Sequence, residues 1–177
     1  MKMKKLFLML LFAVICGSVS ASNFDQNEPV SLKGETKIRL VIDYSEIKID
    51  GKSEEDWLSY WQAEHPEYNA KDELENELKP TVQKNLVSNI NDKIKKKGAY
   101  IVIDQETNFT ITVVVAEVEK KGSNKCRVTI TDKSGNEIKT LNVKGSGGIF
   151  GSMSNLWGDG FEETGEAIGK EIAKLFK

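Results

Sequence analysis

The chain is poor in the residues that most often carry chemistry. Histidine occurs once in 177 residues, at position 65, and cysteine twice, at positions 16 and 126. Zinc sites usually draw two or more ligands from His and Cys, so a zinc centre is not a theme of this sequence. A Ser-His-Asp arrangement would have to use His65, which stands before Pro66 with no nucleophile motif near it. The nucleotide-binding patterns are missing too. Gly169 and Lys170 are followed by Glu171 where a phosphate loop needs Ser or Thr, and the spacing of Gly145, Gly147 and Phe150 breaks a dinucleotide loop. No DxDxDG run occurs for calcium. Acidic pairs such as Glu54 with Glu55 and Asp72 with Glu73 fall at expected helix starts, where the helix dipole accounts for them. The expectation is no catalytic, cofactor or metal site, and hence no enzyme.

Basic excess is absent as well. The formal net charge is −2, and it becomes more negative if the stretch holding Lys2, Lys4 and Lys5 is removed, so nucleic acid is an unsuitable partner. Beyond residue 16 no long apolar run occurs. The first residues, MKMKK, are basic, LFLMLLFAVIC is apolar, and GSVSA ends in small residues. That pattern is a secretory signal peptide over residues 1–21. The apolar run falls short of the roughly 20 residues that cross a bilayer, so the mature chain is expected to be exported without a transmembrane segment, to the periplasm or beyond. Ile15 before Cys16 disfavours a lipoprotein cleavage site. Export leaves Cys126 alone, which excludes an internal disulfide and makes this residue, in phase with Val128 and Ile130, a small core side chain.

What is present reads as one domain. Residues 22–36 are polar, with Pro29 and Gly34, and form a flexible leader; residues 37–177 form the single domain. Ile38, Leu40, Ile42 and Tyr44 alternate with polar neighbours as in a strand, and the apolar phase then shifts to Ile47 and Ile49, which requires a break at Ser45 or Glu46. Ser53 caps a helix bearing Trp57, Leu58 and Trp61 that ends at Pro66. Leu74, Leu78, Val82, Leu86, Ile90 and Ile94 mark a second helix, interrupted or restarted at Pro80 and stopped at Gly98. Four strands follow: AYIVID, FTITVVVAEVE, CRVTITD and NEIKTLNVKG, with a turn at Gly135. In the second, Phe109, Ile111, Val113 and Val115 share one side, and Thr110, Thr112, Val114, Ala116 and Val118 the other.

The glycine-rich run over residues 145–160 leads into a closing helix whose stripe is Phe161, Ile168, Ile172, Leu175 and Phe176. Gly165, Gly169 and Ala173 line a groove beside that stripe, expected to let the backbone approach a sheet. The fold class is therefore α+β in two layers, a mixed or antiparallel sheet of about five strands with helices on one face, closed by the C-terminal helix. One cluster has binding character: Trp57, Tyr60, Trp61 and Tyr68. It could stack on a glycan or seat a protein partner, although spacing 4 between the tryptophans equally suits packing on a sheet.

DYSEIKIDGKS, the meander with DKSGNEI, and GSGGIFGSMSNLWGDGFEETGEAIGK resemble an uncharacterised family of small secreted bacterial proteins. The order of elements is similar, more distantly, to the α/β domain of curli-assembly lipoproteins and to the N-terminal domain of the periplasmic Tol translocation protein. The resemblance implies an extracytoplasmic, non-enzymatic role in envelope assembly or binding, with an envelope or extracellular protein or glycan as partner. It transfers no active-site residue.

Overall fold

The computed structural model describes residues 31–177, so the expected signal peptide, Cys16 and most of the leader lie outside it. The first strand is interrupted where the apolar phase shifts. β1 (Lys37–Asp43) buries Ile38 and Leu40, a turn follows at Ser45 and Glu46, and β2 (Lys48–Ile49) resumes with Ile47 and Ile49 buried. Asp43 Oδ1 accepts the Ser45 N–H at 2.8 Å and holds the turn. β2 then folds back on β3 (Lys52–Ser53) through Asp50 and Gly51, at φ +49° and +76°. Two consecutive positive φ values make the type I′ hairpin that an Asp-Gly pair favours.

Ser53 accepts the Asp56 N–H at 3.1 Å and starts α1 (Glu54–Glu64), which ends at His65. After α2 (Ala70–Asp72) the helical path widens into π-type turns over Glu73–Leu78, then continues as α3 (Lys79–Ile94) with Pro80 in its first turn. Proline has no N–H to give, and the wide turns before it pass the bonding from one register to the next. All six expected core residues of this path, from Leu74 to Ile94, are fully buried. Gly98, at φ +79°, ends it in the left-handed region.

The sheet has seven strands, mixed in direction. β4 (Tyr100–Val102) and β5 (Phe109–Val118) lie parallel to β1 on its two sides; β5, β6 (Asn124–Asp132) and β7 (Glu137–Gly145) form an antiparallel meander. β2 continues the line of β1 along β5, so the expected five strands are present, with β2 and β3 added by the break and the hairpin. Alternation along β5 fails once: a bulge between Val115 and Glu117 turns Val118 to the buried side, where the sequence put it opposite Val115.

α4 (Met153–Ala173) begins eight residues before the expected stripe, because Ser152 accepts the Asn155 N–H at 3.2 Å and caps it there. Phe161, Ile168 and Ile172 are buried as expected, together with Trp157; Leu175 and Phe176 lie beyond the helix end and are half-buried. The line of small residues faces α3 rather than the sheet. A Cβ on Gly165 would stand 3.2 Å from the carbonyl oxygens of Asn85 and Leu86, and one on Gly169 2.8 Å from the Lys93 Cβ. The ordered body also starts upstream of Lys37. Leu32 is 1% exposed and its N–H donates to Leu175 O at 2.8 Å, so the end of the expected leader is tied to the end of the chain.

Candidate functional site

The structure divides the aromatic cluster. Trp57 and Trp61 face inward from α1, 1% and 8% exposed, with rings stacked at 5.6 Å and only 10° apart. Trp61 donates its indole N–H to Glu73 Oε2 at 2.7 Å, which fastens α1 to the π-type turns. Its ring is further covered by His65, at 4.1 Å between centroids, and by Lys120, whose Nζ stands 4.8 Å from the ring centre. Flat stacking on a sugar needs a bare ring face, and these two indoles offer none. Tyr60 and Tyr68 are exposed. Lys52 Nζ lies 4.8 Å above the Tyr60 ring, and Tyr68 meets His65 edge-on at 6.0 Å. His65 is paired with one carboxylate, Glu67, at 3.7 Å, and no hydroxyl hydrogen-bonds to its ring among the described residues.

The glycine-rich segment produces a different surface. Residues 146–152 connect β7 to α4, and the connection is braced on both flanks. A Cβ on Gly147 would lie 1.6 Å from Lys121 O, and one on Gly160 2.0 Å from Gly122 O, so the turn over residues 119–123, the loop and the first half of α4 are in backbone contact. Glu163 Oε2 accepts the Ser146 N–H at 2.9 Å. A carboxylate thus occupies one of the donors that an anion would need.

Against this bracing two large side chains point outward. Ile149 is 77% exposed and Phe150 89%, and no charged residue occurs from 145 to 158. Leaving such side chains in water forgoes roughly 1.5–3 kcal/mol each. Sequence reasoning missed them because an apolar residue is by default assigned inward, and the run was read for its bends. The available signal was the isolation of Ile149 and Phe150 between glycines in an uncharged stretch.

Two other features stand apart from the tip. Cys126 is buried, with its thiol pushed up to about 12 by burial. A groove of about 970 Å³ runs between β7, the second half of α4 and the end of α3. Among the described residues no helix is long and apolar enough to cross a membrane.

No family model and no curated protein matches this chain. One solved structure, of an uncharacterised protein, is similar over 82% of this chain and 96% of that one, at 11% identity and a TM-score of 0.41. A likeness of that strength carries no functional argument.

Proposed function

We propose that this chain is a non-enzymatic binding or assembly module of the bacterial envelope, exported and acting through its surfaces. The observation that carries the reading is the braced display of Ile149 and Phe150. An apolar pair held between the backbone contact at Gly147 and the start of α4 has less freedom left to lose on docking, which favours association. Export rests on the signal-like pattern of residues 1–21. The envelope role rests on the resemblance to curli-assembly and Tol-type domains. The glycan-stacking alternative has less support, since Trp57 and Trp61 are covered and only Tyr60 and Tyr68 remain accessible.

The test is capture from an envelope extract by the mature chain, compared with Phe150→Ser, with mass spectrometry of what is retained. A protein held by the wild type and lost from a folded Phe150→Ser variant supports the reading. Identical retention by both chains removes it.

A further inference from the structure

We propose that the tip at Ile149 and Phe150 docks into the groove beside the second half of α4 on another copy of the chain, giving a head-to-tail assembly. The proposal rests on the reading of the tip as a contact surface and names its occupant.

The groove suits an apolar guest of acidic surroundings. Leu141, Val143, Ala167 and Ala173 supply its apolar part, and its volume of about 970 Å³ exceeds the size of two side chains. Five lysines line it: Lys93, Lys96, Lys144, Lys170 and Lys174. Opposing them are Asp92 and Glu171 in the lining and Glu166 beside it. Glu166 bonds Lys93 at 2.9 Å and Lys170 at 3.0 Å, and Glu171 bonds Lys139 and Lys174. Lys96 and Lys144 have no acidic partner among the described residues.

The tip has the complementary character. Asp159, Glu162 and Glu163 are exposed on the first half of α4, which follows it, while the bracing side carries Glu119 with Lys120 and Lys121, and Lys125 and Lys144 stand beside Glu119 and Ser146. An apolar point with acids on its α4 side is matched on that side by an apolar groove with a cationic rim. This chain carries such a groove. Tip and groove sit toward opposite ends of one helix, so a copy cannot fill its own groove. The two patches also differ, which makes the contact heterologous: copies add in a line unless the rotation between them closes a ring.

Sedimentation velocity of the mature chain over a wide concentration range tests this. The wild type should sediment faster as concentration rises, and Phe150→Asp should shift that association to roughly ten- to hundredfold higher concentration. Ala167→Arg, which fills the groove, should do the same; Lys96→Glu provides a second groove defect at an exposed position if Ala167→Arg does not fold. Mixing Phe150→Asp with a groove variant is decisive. One keeps the groove and the other the tip, so the mixture should form a dimer that grows no further. A wild type that stays monomeric throughout overturns the proposal, as does a mixture that remains monomeric. Phe150-dependent binding to neutral phosphatidylcholine vesicles by a monomeric wild type also overturns it, with lipid as the occupant. If the chain is monomeric yet retains a different envelope protein through Phe150, the self-docking fails and the binding module stands.

Discussion

Thr164 donates its hydroxyl proton to Asn124 Oδ1 at 2.7 Å, joining the middle of α4 to the first residue of β6. These two are the buried polar residues among the described ones. Asn124 Nδ2 donates in turn to Gly122 O at 3.1 Å. The pair therefore fixes the turn that braces the glycine-rich loop. Thr164→Val keeps the shape and leaves Asn124 short of a donor, so it should cost about 1–3 kcal/mol in urea denaturation, while Thr164→Ser, which keeps the hydroxyl, should cost less. A loss in Thr164→Ser with none in Thr164→Val would show that the methyl group, rather than the hydroxyl, matters.

The seam between α3 and α4 makes a second prediction. A Cβ on Gly165 would meet backbone oxygens of α3 at 3.2 Å, and one on Gly169 would meet the root of the Lys93 side chain at 2.8 Å and the Ile90 Cα at 3.1 Å. Gly169→Leu and Gly165→Leu should each reduce stability by roughly 1–3 kcal/mol through overpacking. An unchanged urea midpoint in Gly165→Leu would mean that the helices are not in contact there.

All three tryptophans, Trp57, Trp61 and Trp157, are buried. Acrylamide should quench their emission weakly in the native chain and strongly after unfolding. Steep native quenching would restore an open aromatic platform on α1.

Glu171 is held at about 2, well below its ordinary 4.5, first by the hydrogen bond from Lys139 and then by that from Lys174. Its folded-state value lies below the unfolded one, so the contribution to stability is complete above about 4.5 and is lost as pH falls from there toward 2. Glu171→Gln should flatten the acid limb of the stability profile. Carbon-detected NMR titration of the side chain should give a midpoint near the lower value; one near 4.5 would place both lysines away from it.

Burial also governs Cys126, whose thiolate is scarce at neutral pH. Ellman's reagent should react slowly with the native protein prepared from residue 22 onward and rapidly in denaturant. Fast native labelling would mean that the edge of the sheet opens.

Local signals made much of this fold legible. The phase shift at Tyr44 located the turn at Ser45 and Glu46, and period 3.6 from Leu74 to Ile94 picked six residues that are all buried. What escaped depended on partners distant in sequence. Spacing 4 between Gly165 and Gly169 shows that a face is small, but only tertiary packing decides that α3 lies against it. The bulge beside Ala116 reverses a parity that the strand alone cannot reveal. Asp50 and Gly51 were readable and overlooked, since an Asp-Gly pair between Ile49 and Lys52 is a hairpin signal in itself. In the aromatic cluster, spacing placed Trp57 and Trp61 on one face of α1, while the exposure of Tyr60 and Tyr68 followed from which face met the core.

The tie between Leu32 and Leu175 gives the body a fixed polarity. Ser31 also donates to Lys177 O at 2.6 Å, so both ends of the described chain leave from one corner. α4 runs from that corner for 21 residues, about 31 Å, to the glycine-rich connection. A load carried at that corner leaves Phe150 at the far pole, like a hook on the free end of a line, and an affinity tag placed after Lys177 starts about the length of α4 away from it.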